Sequence, residues 1–128
     1  MDLAKAGGKG KIELRELGVG CTLLTGKDDK DVHIKAAKEG LAIAQAEMLS
    51  SNYDMLILDE LNCALYMGLV TEDEVLALLA KKPADVHVVL TGIQAPASII
   101  EKADLVTEMQ EIKHPFQKGI VSQLGIDY

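Results

Sequence analysis

The chain has 128 residues, of which 48% are hydrophobic and 26% charged, a size and balance typical of one folded domain. Its formal net charge is -7 and only 3% of its residues are aromatic, which argues against nucleic acid or an anionic membrane as the main partner. The apolar runs are too short to cross a bilayer, residues 1–5 lack a signal-type stretch, and Cys21 and Cys63 match no metal spacing, so we expect a cytoplasmic protein with free thiols.

The first part of the chain predicts a flexible lead and three elements. Residues 1–11 are rich in glycine and lysine and are expected to be flexible, and residues 12–17 are expected to form a short helix that ends at Gly18. Residues 19–25 mix β-branched and apolar side chains and predict a short strand. Residues 31–49 predict a long helix, because apolar side chains recur at spacings of three and four on one stripe: Ile34, Ala37, Leu41, Ala44 and Met48.

The strongest local pattern is an apolar run, residues 55–58, that stops at Asp59 and Glu60. Four consecutive apolar residues predict a strand buried on both faces, as in a parallel sheet. Ligands of open α/β sheets bind beyond the carboxyl ends of the strands, where these two acids stand. The acids could therefore ligate the Mg²⁺ of a nucleotide. The alternative is that they only confer solubility or cap the next helix.

The remaining elements alternate between helix and strand. Residues 61–67 predict a helix that ends at Gly68, and Thr71 with Glu74 forms a capping box for a helix that reaches about Lys81. Residues 86–92 predict a second strand, residues 96–103 a helix, and residues 105–109 a third strand, with irregular chain from residue 113. This alternation predicts an α/β fold in a single domain, residues 1–128, with a parallel sheet and helices on its faces.

From Tyr53 onward, ordered stretches of the chain resemble the ATP:corrinoid adenosyltransferases of the cobalamin-synthesis type. The matching stretches include residues 58–62, 89–92, 103–109, 113–116 and 125–128. The resemblance implies a shortened P-loop-NTPase-like three-layer fold with a mainly parallel sheet. It also implies transfer of the 5′-deoxyadenosyl group of ATP to the cobalt of a reduced corrinoid, with Mg-ATP and a corrinoid bound. By the same resemblance, Asp59 and Glu60 would hold the metal, and the positions that line the site would be Asn62, Thr91, Lys113, His114 and Phe116.

The chain departs from the family's pattern at its phosphate-binding loop. Residues 7–11 superficially resemble the family's Gly-x-Gly-Lys-Gly-Lys-Thr-Thr, but Ile12 and Glu13 stand in place of the two threonines and no strand precedes them. A phosphate loop needs a strand before it and a helix N-terminus after it, so that backbone N–H groups converge on the phosphates. The family's aromatic pair beside the corrinoid is also missing, and its Thr-Gly-Arg reads Thr91-Gly92-Ile93.

These departures lead to two hypotheses. In the first, the chain is an adenosyltransferase homologue with doubtful ATP binding, impaired or dependent on a complementing chain or a swapped dimer partner for the phosphate loop. In the second, it is a non-catalytic corrinoid-binding, regulatory or assembly protein. Because the loss of leading strands would expose a sheet edge, we expect a homodimer or a larger assembly in either case.

Two further alternatives stay open at the level of sequence. Residues 113–116 could shape a loop that faces the substrate, or Pro115 could fix a loop whose Phe116 packs into the core. The Thr91 hydroxyl could belong to the site or could cap the end of its strand.

Overall fold

A computed structural model describes residues 10–18 and 30–125 of the chain. The two strands alternate with helices, which confirms the predicted α/β class. The elements are α1 (Lys30–Leu49), β1 (Met55–Leu58), α2 (Leu61–Tyr66), α3 (Glu72–Leu79), β2 (His87–Leu90), α4 (Ala97–Lys102) and a final 3-10 turn (Pro115–Lys118). The predicted strand at residues 19–25 lies outside the described residues.

The two strands are parallel neighbours. Met55 pairs with His87 at one end and Leu58 with Leu90 at the other, so the strands are in full register. A parallel pair needs a crossover between its strands, and here α2 and α3 supply it. The prediction of a parallel sheet is therefore confirmed within the described residues.

The core lies on one face of this sheet. One group of buried side chains, Ala44, Met48, Leu78 and Val86, packs with Leu56 and Val88; a second, Leu61, Val70, Val75 and Ile99, packs with Leu58 and Leu90. These four strand residues alternate along β1 and β2, and alternate residues of a strand point to the same side. In the part of the chain that the structure describes, the helices thus cover one face, and a third layer is not seen there.

The opposite face of the sheet is uncovered among the described residues. Met55 is 52% exposed, Ile57 is 59% exposed and Val89 is 37% exposed. The prediction that β1 is buried on both faces was wrong, because its burial alternates from residue to residue. A run of four apolar residues cannot by itself distinguish a strand with two covered faces from one with a single covered face.

The capping box at the start of α3 is confirmed. The Thr71 hydroxyl accepts a hydrogen bond from the Glu74 N–H at 3.2 Å, and the Glu74 carboxylate accepts one from the Thr71 N–H at 2.9 Å. Glu74 also forms an ion pair with Lys38 of α1 at 2.9 Å, which ties the two helices together. The Lys38 ammonium, followed by the Thr71 N–H, lowers the pKa of Glu74.

Residues 12–17 were predicted to be helical, and this prediction was wrong. The described segment 10–18 is irregular, and long-range polar contacts hold it. Glu13 accepts hydrogen bonds from the Tyr53 hydroxyl at 2.8 Å and from Arg15, whose guanidinium also reaches Glu47 of α1 at 2.7 Å. The Tyr53 hydroxyl, then Arg15 and Lys11, lower the pKa of Glu13 to about 2. Partners more than thirty residues away thus override the local helical preference.

The chain after α4 is exposed and contains no described strand. Residues 101–125 are exposed, and residues 105–109 form no strand. The prediction of a third strand at residues 105–109 was wrong. The described sheet contains only β1 and β2, and this segment has no neighbouring strand with which to form hydrogen bonds. Among the described residues, no helix combines the length and the apolar character needed to cross a membrane.

Candidate functional site

The carboxyl ends of β1 and β2 meet at one edge of the sheet and bring three predicted site residues together. Asp59 and Glu60 follow β1, and Thr91 follows β2. The Thr91 N–H donates to the Leu58 carbonyl at 3.2 Å, which extends the strand pairing by one residue. Because the strands are parallel and in register, side chains that are more than thirty residues apart in sequence converge here.

The Thr91 hydroxyl bridges the two acidic residues. Its oxygen accepts a hydrogen bond from the Glu60 N–H at 3.0 Å and donates one to the Asp59 carboxylate at 2.6 Å. The sequence left open whether this hydroxyl belongs to the site or caps the strand end. In the structure the same oxygen binds the backbone of the β1–α2 turn and the side chain of a predicted metal ligand.

Glu60, the residue directly before α2, has an unusual backbone conformation and contacts a cysteine in the first turn of that helix. Its φ is 59°, in the left-handed region that few residues other than glycine adopt. The Cys63 thiol donates a hydrogen bond to the Glu60 carboxylate, and the Ile93 N–H donates to the Cys63 sulfur at 3.5 Å. Burial, and next the hydrogen bond to Glu60, raise the pKa of Cys63.

Cys63 is a free thiol, as predicted from the sequence, but its place beside Glu60 was not predicted. The contact between Cys63 and Glu60 could have been predicted from their spacing in the sequence, because residues i and i+3 share one side of a helix. Glu60 and Cys63 have this spacing at the start of α2.

Gly92 allows the turn after β2 to approach the start of α2 closely. Its φ is 121°, and a Cβ atom at this position would lie 3.0 Å from the Cys63 backbone nitrogen and 3.1 Å from the Asn62 Cβ. The Asn62 N–H donates to the Thr91 carbonyl at 3.0 Å. The carboxyl ends of β1 and β2 are therefore fixed to each other by both backbone and side-chain contacts.

Asn62, another predicted site residue, is buried beneath this turn. Only 6% of it is exposed, and its side-chain oxygen has no hydrogen-bond partner among the described residues. Buried polar atoms normally have a partner, so this oxygen is a position where a water molecule or a donor group of a ligand would be stabilised.

The predicted loop at residues 113–116 does not join this group. No hydrogen bond or ion pair in the described ranges connects Lys113, His114 or Phe116 to the acidic residues, and all three are exposed. The His114 ring nitrogen Nδ1 accepts a hydrogen bond from the Phe116 N–H at 3.1 Å, which shapes the turn locally. Phe116 is 69% exposed, so the alternative in which it packs into the core was wrong.

The chemistry of Asp59 and Glu60 fits a hard divalent cation. Both are exposed, and in each carboxylate one oxygen receives no hydrogen bond from a described residue. Mg²⁺ keeps several waters and is usually held by one or two carboxylates together with substrate phosphates. No cluster of three or more His, Cys, Asp or Glu side chains suited to a metal occurs in residues 10–18 and 30–125, so a cation here would need ligands from a substrate or from water.

The described part of the candidate phosphate loop does not continue into a helix. Residues 10–17 are irregular, so no helix N-terminus directly follows Gly10 and Lys11. A phosphate loop needs such a helix start, which brings backbone N–H groups together around the phosphates. Residues 10–17 do not supply one.

Comparison with known proteins places these features in context. The family model described as ATP:corrinoid adenosyltransferase BtuR/CobO/CobP matches residues 2–128. A corrinoid adenosyltransferase of Pseudomonas aeruginosa is 36% identical over 118 residues, which are 92% of this chain and 57% of the relative. A corrinoid adenosyltransferase of a Sinorhizobium species is 41% identical over 113 residues, which are 88% of this chain and 52% of the relative. One from Escherichia coli K12 is 32% identical over 117 residues, which are 91% of this chain and 59% of the relative. The chain thus spans between half and two thirds of the length of these relatives.

Proposed function

The chain belongs to the ATP:corrinoid adenosyltransferase family, and from this premise we propose that it serves transfer of the 5′-deoxyadenosyl group of ATP to the cobalt of a reduced corrinoid. The observation that carries the proposal is the convergence of Asp59, Glu60 and Thr91 at the carboxyl edge of the sheet, where ligands of open α/β sheets bind. Family membership indicates the reaction, and this convergence indicates which part of the chain takes part in it.

In the proposed reaction, the residues at this edge of the sheet bind the substrates and orient them. Asp59 and Glu60 would hold Mg²⁺, and the ion when bound would offset part of the negative charge of the triphosphate. Asn62 offers its unpaired oxygen to a donor group of a substrate. Such a site accelerates the transfer mainly by positioning ATP against the cobalt, because correct positioning removes much of the barrier of a two-substrate reaction.

We propose that the chain alone is impaired in this reaction and depends on a partner. Support comes from the irregular backbone of residues 10–17, in which no helix start follows Gly10 and Lys11. The partner is either a complementing chain or a second copy in a homodimer. The exposed sheet face at Met55, Ile57 and Val89 supports an assembly, because parallel sheets are normally covered on both faces. A cytoplasmic location is proposed as well, in keeping with the free thiol of Cys63.

A second candidate function is a non-catalytic protein that binds a corrinoid or has a regulatory or assembly role. The exposed and separate position of residues 113–116 favours it, because these side chains remain accessible to a large planar ligand without any contact with the acidic residues. This candidate keeps corrinoid binding and drops ATP and transfer.

Calorimetric titration of the purified chain with Mg-ATP, and separately with a corrinoid, tests both candidates. Adenosyl transfer is then measured spectroscopically with reduced corrinoid and ATP. The transfer assay is run with the chain alone and with added polypeptide from the part of the Pseudomonas aeruginosa relative outside its 118 matched residues. We expect no micromolar binding of Mg-ATP by the chain alone, binding of the corrinoid, and transfer only when the added polypeptide is present.

The outcomes separate the proposals. Micromolar binding of Mg-ATP and transfer by the chain alone would contradict partner dependence. Corrinoid binding without transfer under any condition would favour the second candidate, and binding of neither substrate would contradict both. Light scattering tests the assembly, and Ile57→Asp is expected to give a smaller species than the unchanged chain, whereas a strictly monomeric unchanged chain would oppose a homodimer.

A further inference from the structure

We propose that Thr91 is a positioning residue that holds Asp59 and Glu60 in the arrangement that binds a divalent cation. The inference rests on the proposed function, since it concerns the same carboxylates. It adds a residue from β2 that is not itself a ligand and that acts through both acids. It follows from three features: the direction of the hydroxyl's hydrogen bonds, the anchoring of Thr91 itself, and the strained backbone at Glu60.

The direction of both hydrogen bonds is fixed by chemistry. A backbone N–H can only donate, so the Glu60 N–H at 3.0 Å uses the Thr91 oxygen as acceptor. The single hydroxyl proton is therefore left to donate to the Asp59 carboxylate at 2.6 Å, an acceptor. The short distance is that of a charge-assisted bond, which is stronger than one between neutral groups. One oxygen of Asp59 is thus tied down, and the other is left for an ion.

Thr91 can restrain the acids because its own backbone is fixed at both polar atoms. Its N–H donates to the Leu58 carbonyl at 3.2 Å, and its carbonyl accepts from the Asn62 N–H at 3.0 Å. These bonds join Leu58, the residue before Asp59, and Asn62, two residues after Glu60, to the same threonine. The two acids therefore lie in a short turn that is held at both ends.

The turn needs such support because Glu60 is strained. A residue other than glycine meets a steric penalty in the left-handed region, because its Cβ approaches the following carbonyl oxygen, and Glu60 has φ of 59°. The hydrogen bond from its N–H to Thr91 offsets part of that cost. Without the hydroxyl, the turn would relax and the two carboxylates would no longer be presented together.

Binding of Mn²⁺ to the purified full chain tests this inference, with free Mn²⁺ followed by electron paramagnetic resonance. The unchanged chain is expected to bind Mn²⁺ weakly, because the ion has only two carboxylates here. Thr91→Val removes the hydroxyl and keeps the branched shape, and loss of such an outer partner is expected to weaken affinity by about tenfold or more. Thr91→Ser restores the hydroxyl and is expected to retain binding. Thr107→Val, at an exposed position in the tail, is the matched control.

A double substitution distinguishes positioning from a general effect on folding. If Thr91 acts through Asp59, Thr91→Val is expected to weaken binding less in a chain that already carries Asp59→Asn than in the unchanged chain. Circular dichroism verifies that each variant is folded, and Thr91→Ala is the second hydroxyl-free variant if Thr91→Val does not fold.

The outcomes are distinct for the two levels of proposal. If the unchanged chain binds no Mn²⁺, the metal role of Asp59 and Glu60 in the proposed function fails. If the unchanged chain binds Mn²⁺ and the folded hydroxyl-free variants bind it equally well, the carboxylates keep their role and the positioning role of Thr91 is overturned.

Discussion

Replacing Gly92 with alanine provides the most direct test of how the two strand ends are held together. The glycine has φ of 121°, and an added Cβ would lie 3.0 Å from the Cys63 nitrogen and 3.1 Å from both the Asn62 Cβ and the Cys63 sulfur. Real Cβ atoms tolerate such contacts only if a neighbour moves. One of these neighbours is backbone, at the start of α2, which cannot move without carrying Glu60 and Asn62 with it.

The expected cost has two parts. An alanine in a sparsely populated backbone region costs about 1–3 kcal/mol, and forcing extra volume into a packed site costs about 1–3 kcal/mol more. We therefore expect Gly92→Ala to lower the free energy of unfolding by about 4 kcal/mol, which is a large part of the roughly 5–15 kcal/mol that stabilises an ordinary domain.

Urea denaturation followed by circular dichroism measures this cost, and Gly68→Ala is the matched control. Gly68 also has a positive φ, 65°, but the nearest atom to an added Cβ is the Lys30 ammonium at 3.7 Å, at the end of a flexible side chain. The control should lose only about 1–2 kcal/mol, the strain of the left-handed conformation. If Gly92→Ala costs no more than Gly68→Ala, the close approach of the turn to α2 does not exist in solution and the reasoning is refuted.

Three further predictions follow from other contacts. The Glu13 carboxylate should titrate near a pKa of about 2 by carbon NMR, and Tyr53→Phe should raise that pKa. Because the pKa is lowered from 4.5 on folding, the stabilisation that Glu13 contributes is complete above pH 4.5 and is lost as the pH falls toward 2. An unshifted midpoint in the unchanged chain would mean that the Tyr53 contact does not form. Thr71→Ala should lower the free energy of unfolding by about 1 kcal/mol in urea, and Thr71→Ser should not, since serine keeps the cap. Glu60→Gln should lower the pKa of Cys63 and therefore speed alkylation of the thiol at a pH close to that pKa, measured by mass spectrometry of the Cys63 peptide. An unchanged rate would show that Glu60 does not contact the thiol.

The elements that local patterns predict well are those whose partners lie close in sequence. The capping box of Thr71 and Glu74 spans four residues, and the stripe on α1 repeats within single turns, so both could be predicted from sequence alone. The segment at residues 12–17 could not, because Glu13 and Arg15 are held by Tyr53 and Glu47, more than thirty residues away. Single-sequence reasoning contains no information about such partners.

The candidate site likewise contains some features that the sequence predicts and others that it does not. The apolar run followed by acids located Asp59 and Glu60 at a strand end, and parallel pairing placed Thr91 beside them. The sequence did not indicate that a single hydroxyl bridges both acids, nor that Cys63 contacts Glu60, because these depend on side-chain directions within a turn of unusual φ. It also could not decide how many faces of the sheet are covered.

The sheet face that residues 10–18 and 30–125 leave exposed, with Met55, Ile57 and Val89, has a consequence for the fate of the polypeptide in a cell. Contiguous apolar surface of this kind marks a chain for chaperones and proteases, which continuously sort proteins that are incompletely buried. A copy that finds nothing to cover this face would be degraded faster than one that does.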